Sequence, residues 1–133
     1  MRLYEFDFSD CRSLNSSIEK VLVKVSKSFV LNEVDSGHGF CEYQLFFEDS
    51  AVFYMTNDIY SGSMLNAKNL MHIGISGYIN RSLNDTIINQ GQQSDSLFWK
   101  EAILNDVVVG YINASKEDKV LFEHWIKTIT RVR

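Results

Sequence analysis

Proline is absent from all 133 residues, and so are internal repeats and low-complexity tracts. Nothing therefore divides the chain, and it reads as one domain spanning 1–133. Long apolar runs are missing too. Ala51 to Met55 is representative of those present, far too short to cross a bilayer. The opening residues Met1-Arg2-Leu3-Tyr4-Glu5-Phe6-Asp7 turn acidic at once and lack the apolar core of a signal peptide. Excess basic charge is lacking as well. Thirteen Lys and Arg stand against 17 Asp and Glu, a net charge of −4, which argues against a nucleic-acid binder working by bulk charge. What is plentiful is apolar residues at 45%, with aromatics at 13%, enough for a core without a disulfide or a structural metal.

Only two cysteines occur, Cys11 and Cys41, outside any Cys-x-x-Cys pair. With no export signal the expected setting is the reducing cytoplasm, where both are small buried thiols; a disulfide in an oxidising setting is the alternative. Asn-x-Ser/Thr triplets start at Asn15, Asn80, Asn84 and Asn113. In a cytoplasmic chain rich in Ser and Asn these are incidental.

Local patterning predicts an α+β domain, an antiparallel β-sheet packed against helices with a C-terminal amphipathic helix. Leu3 to Phe8 alternates with a period of two, as a half-buried strand does. Ser16, with Glu19 three residues on, can form a capping box, and Ile18, Val21, Leu22, Val25 and Phe29 then follow helical spacing. The β-branched Val21, Val23 and Val25 pull the other way, toward strand. Asp35-Ser36-Gly37-His38-Gly39 is a loop. The stretch from Phe40 to Glu48 predicts a strand with Cys41, Tyr43, Leu45 and Phe47 buried. Glu42, Gln44, Glu48, Phe40 and Phe46 lie on its other face. Ala51 to Asn57 returns as its hairpin partner.

Residues 64–90 carry two patterns. Ala67, Met71, Ile75, Ile79, Leu83 and Ile87 recur every four residues, while Met71, Ile73 and Ile75 alternate. One or two helices broken near Gly77 are the preferred reading. Gln90 to Asp95 reads as a polar linker. Leu97–Leu104 and Val107–Asn113 flank Asn105-Asp106 as a hairpin. Ser115 then caps a final helix whose stripe is Phe122, Trp125, Ile126 and Ile129.

No motif supplies catalytic residues, a cofactor loop or a metal set. His38 and Cys41 form one spaced pair, too few ligands for a tetrahedral site. Gly37-x-Gly39 and Gly74-x-x-Gly77 lack the remainder of any phosphate loop. An enzyme would have to rest on Cys41 and His38, with a thiol far more reactive than a buried one.

Charge placement says more. Residues 28–67 contain no Lys or Arg but hold Glu33, Asp35, Glu42, Glu48, Asp49 and Asp58, a net of −6; the other 93 residues carry +2. With Phe46 and Tyr60 as aromatic anchors, these carboxylates suit capture of a basic protein: charge steers the encounter and aromatics anchor it. Reversing Glu42 and Asp49 to lysine is then expected to slow association. An ordinary solvated sheet face is the plain alternative.

The stretch Phe40-Cys41-Glu42-Tyr43-Gln44-Leu45-Phe46-Phe47-Glu48-Asp49 and the closing Phe122-Glu123-His124-Trp125-Ile126 resemble small acidic bacterial immunity proteins, especially those of contact-dependent growth inhibition systems. That resemblance implies a non-enzymatic, cytoplasmic inhibitor, monomeric when free. It would bind a cognate toxin domain, often a basic nuclease, and touch neither nucleic acid nor membrane directly. A second resemblance is to homodimeric type III secretion chaperones, onto whose order of helices and strands residues 16–130 can be laid. The opening strand and the absence of an early Leu-Pro depart from them.

Overall fold

Val21, Val23 and Val25 decide the first ambiguous segment. Two substituents on Cβ make valine favour the pleated backbone of a strand over a helix. In the computed structural model, which describes residues 2–11, 19–35, 37, 39–59, 62–65, 86–94, 96–104 and 107–132, these three valines line the buried face of a strand, β2 (Lys20–Val25). The helix expected over residues 16–29 is thus corrected: its described part is β2 and the approach to β3 (Val30–Asp35). Ser16 lies outside the described residues. β2 pairs antiparallel with β1 (Arg2–Asp7), Phe6 opposite Val21.

The expected hairpin is present as β4 (Cys41–Phe46) and β5 (Val52–Thr56), with Phe46 opposite Val52. Its turn closes with the Phe47 N–H donating to the Ala51 carbonyl at 3.0 Å and Ser50 at φ 71°. Residues 86–94, expected as helix end and polar linker, form a further strand, β6 (Thr86–Ser94). β7 (Leu97–Leu104) and β8 (Val107–Ala114) pair with Leu104 opposite Val107, as a two-residue connection at 105–106 requires. The helical pattern over residues 66–85 lies outside the described residues.

One α-helix occurs among the described residues, α1 (Lys116–Lys127). Ser115 caps it in a full capping box: the Asp118 N–H donates to Ser115 Oγ at 3.1 Å and the Ser115 N–H to the Asp118 carboxylate at 3.4 Å. The last described element is β9 (Thr130–Val132). The architecture is therefore mainly β, two antiparallel sheets in the orders β1-β2-β9 and β3-β4-β5-β8-β7-β6, with a C-terminal helix.

The main core lies between the small sheet with α1 and one face of the large sheet. Phe6, Phe8, Val21 and Val23 meet Leu45, Phe53, Met55, Val109 and Tyr111, with Phe122 and Trp125 of α1 between them. A second cluster, Val52, Tyr54, Trp99, Ile103 and Ile112, lies on the opposite face of the large sheet, covered in part by Ile59 and Leu65. β5 is buried along its whole length because both of its faces are covered. Cys11 and Cys41 are bonded to each other, which corrects the expectation of free thiols. The bond joins the 3₁₀ turn Ser9–Cys11 after β1 to the start of β4, and so ties one sheet to the other.

Candidate functional site

β1 ends one side of the small sheet and β3 ends one side of the large sheet. Between these two edges runs a groove of about 340 Å³ lined by Tyr4, Glu5, Phe6, Asp7, Phe29, Leu31, Glu33 and Tyr43. A further concavity of about 230 Å³ continues it past Glu33 and Tyr43 to Asp35 and Cys41.

The floor is aromatic. The Tyr43 ring lies 5.2 Å from that of Phe6 and 5.0 Å from that of Phe8, and Tyr4 meets Phe29 edge-on at 5.0 Å. The Tyr43 hydroxyl donates to the Asp7 carbonyl across the seam between the sheets. Its pKa is raised, first by burial and then by the charges of Glu33, Asp7 and Asp10, so three carboxylates act on one phenol. Asp7 is held below the usual carboxylate range by hydrogen bonds from Ser9. The rim is acidic: Glu5, Asp7, Glu33 and Asp35 line it, and the charge of Asp10 reaches Tyr43. Two cations reach this area, Lys20 at 3.6 Å from Glu5 and Arg2 at 5.1 Å from the Tyr4 ring centre. Ion pairs this exposed stabilise little, so the carboxylates remain open to a partner.

The structure separates the six expected carboxylates into three groups. Glu33 and Asp35 stand exposed on β3, at the groove. Glu48 and Asp49 are exposed at the β4–β5 turn. Asp49 is engaged there by Lys27 at 3.3 Å, and Lys27 also holds Asp118 at 2.8 Å. Glu42 and Asp58 are buried, so neither presents its carboxylate to a partner as expected of all six. Phe46 is 37% exposed, beside Val30 at 72%. Tyr60 and His38 lie outside the described residues. Sequence reasoning missed Glu5, Asp7 and Tyr43 as groove residues; the alternation over Leu3 to Phe8 did place Glu5 and Asp7 on one face, but not what would face them.

Glu42 is interior because residues 62–65 cross its face of the sheet. It accepts hydrogen bonds from Gln44 Nε2 at 2.6 Å, Ser63 Oγ at 2.7 Å and the Met64 N–H at 2.6 Å. Glu101 lies close by, accepting from the Tyr54 hydroxyl at 2.8 Å and the Ser63 N–H at 3.2 Å. Ser63 thus links two buried carboxylates, and this cluster fixes the 62–65 segment to the sheet. Reversing Glu42 to lysine would test folding rather than binding.

Burial pushes the Glu42 carboxyl above its ordinary value, against the hydrogen bonds that favour its charge, and Glu101 adds to the upward push. The folded state then keeps a proton that the unfolded chain has lost. Stability is therefore full below the ordinary Glu pKa and falls as pH rises through the raised one. Glu42→Gln is expected to flatten that decline, read as the denaturant midpoint against pH. Parallel profiles for wild type and variant would contradict it.

A larger concavity, about 620 Å³, runs along α1 among Phe98, Lys116, Lys119, Val120, Glu123, His124 and Lys127. Its cations project from one helix, the Lys119 ammonium sits 4.8 Å from the Phe98 ring centre, and Glu123 is taken by Lys100. That is the ordinary outer face of an amphipathic helix. The acidic groove is the stronger candidate because it joins charge, aromatic floor and two strand edges.

Among the described residues no group of three or more His, Cys, Asp or Glu could hold a metal ion, and no helix is long and apolar enough to cross a membrane. Comparison with protein-family models, curated proteins and solved structures yields no match.

Proposed function

We propose that this chain is a non-enzymatic inhibitor that captures a basic protein through the groove between β1 and β3, as the immunity resemblance implies. A toxin domain such as a basic nuclease is the partner class, and its neutralisation follows from occlusion. The observation that carries this reading is the set of four carboxylates, Glu5, Asp7, Glu33 and Asp35, lining a groove whose aromatic floor includes Tyr43, with the charge of Asp10 also acting on that phenol. Charge of one sign at a concave surface raises the encounter rate with a basic partner, and aromatic rings there anchor cationic side chains. The free protein acts as a monomer, with no cofactor. The Cys11–Cys41 bond favours an oxidising setting over the cytoplasm that two free thiols would have indicated.

The chaperone reading loses support at the segment that would be its first helix. Residues 20–25 form a strand there, β2, and the next segment, β3, forms one wall of the groove.

The test uses two baits in a lysate of the source cell, wild type and the double variant Glu33→Lys/Asp35→Lys. Wild type is expected to enrich one basic protein that is released as salt rises, and the variant to bind it at least about tenfold more weakly. Equal enrichment by both baits would place the interface elsewhere.

A further inference from the structure

Main-chain direction along β4 shows which groups of β3 are available. The Asn57 N–H donates to the Cys41 carbonyl at 3.4 Å and the Phe47 N–H to the Ala51 carbonyl. Odd-numbered residues of β4 therefore turn their main-chain groups toward β5, and Glu42, Gln44 and Phe46 turn theirs toward β3. The cross-strand partners of those three are Val34, Asn32 and Val30. It follows that Val30, Asn32 and Val34 spend their N–H and C=O groups on β4, whereas Leu31, Glu33 and Asp35 direct theirs outward, where no strand pairs with β3 among the described residues.

The same three residues stand opposite Leu45, Tyr43 and Cys41, so their side chains fall on the groove face of the sheet. β3 thus offers, among the described residues, a row of main-chain groups with no strand partner and a pair of carboxylates in one register. Its other face carries the exposed Val30 with its partner Phe46.

We propose that the partner binds by strand addition: an extended basic segment pairs with Leu31, Glu33 and Asp35, places alternate Lys or Arg side chains over the groove, and covers Val30 and Phe46 with the apolar residues between. This rests on the function proposed above and specifies how the partner is held. Main-chain pairing supplies affinity, and the alternation supplies selectivity for a basic–apolar sequence. A second copy of this chain is a poor occupant. β3 contains two carboxylates and no cation, so pairing two copies along this edge sets like charges together.

The probe is a peptide of about eight residues alternating arginine and valine, in three forms. One is unmodified, one is N-methylated at every arginine and one at every valine. Methylation removes an N–H donor without changing charge. In an antiparallel addition the arginine amides bond β3; in a parallel addition the valine amides do. Strand addition therefore predicts that one methylated form loses at least about tenfold in affinity while the other binds like the parent, since several hydrogen bonds are lost together. Amide shifts should concentrate at Leu31, Glu33 and Asp35.

Equal binding by both methylated peptides overturns strand addition and leaves capture by charge standing. No binding of the parent at about 20 mM salt also overturns it; the two-bait comparison then shows whether the groove takes a folded basic surface. A dimer of the free protein that the peptide dissociates would assign the edge to a second copy, again overturning the proposal.

Discussion

Breaking the Cys11–Cys41 bond is expected to lower the unfolding free energy by about 3–4 kcal/mol. The bond spans 30 residues of sequence, and closing a loop of that size removes much of the freedom of the unfolded chain. Against a total of about 5–15 kcal/mol for a domain, such a loss is large. The enclosed segment contains both β2 and β3, so the bond constrains the strand that forms one wall of the groove. Cys41 is the cross-strand partner of Asp35, which places the bond beside the groove's acidic end. Unfolding free energies of wild type and Cys11→Ala/Cys41→Ala, from denaturant titration, should differ by that amount, and reductant should move the wild-type midpoint toward the variant's. Coincident midpoints would mean that the two sheets are held by packing alone.

Trp125→Ala should cost about 3–5 kcal/mol, the range for removing a large buried aromatic. The Trp125 side chain is fully buried, with ring centres of Phe122, Phe47 and Phe53 at 4.9, 5.6 and 5.6 Å. Its indole N–H donates to Ser26 Oγ at 3.1 Å. Ser26 lies between β2 and β3, so the helix is pinned to the connection that sets the position of the groove wall. Trp125→Phe keeps most of the packing and loses the hydrogen bond, and should cost markedly less. Thermal or denaturant unfolding of both variants checks the order; a Trp125→Ala protein as stable as wild type would show that α1 does not hold the core together.

The disulfide and Trp125 also show what the sequence could and could not disclose. Trp125 lay in a stripe at helical spacing behind a Ser115 cap, and both signals are local, so the helix was legible. The β4–β5 hairpin was legible for the same reason, from alternation on either side of Glu48-Asp49-Ser50. The disulfide was not, because a bond across 30 residues is a contact of the fold and leaves no trace in local spacing. Residues 18–29 carried helical and strand periods together, and valine's preference decided for strand over Lys20–Val25. β6 escaped notice because an edge strand with polar residues on both faces has no apolar alternation to read.

The candidate site was legible in its charge and not in its shape. The gap in Lys and Arg over residues 28–67 led to Glu33 and Asp35, which do stand at the groove. Glu42 followed the same alternation on its strand but is covered by residues 62–65, a segment beyond the hairpin that local patterning could not bring back over it. Glu5 and Asp7 belong to the site only because the two sheets bring β1 alongside β3.

The most direct test of capture by the acidic groove is the salt dependence of affinity for the basic protein retained by wild type, compared with Glu33→Lys/Asp35→Lys. Capture by this groove entails a steep loss of affinity with rising salt for wild type and a shallow one for the variant. Identical dependences would contradict it and remove the groove between β1 and β3 as the binding surface.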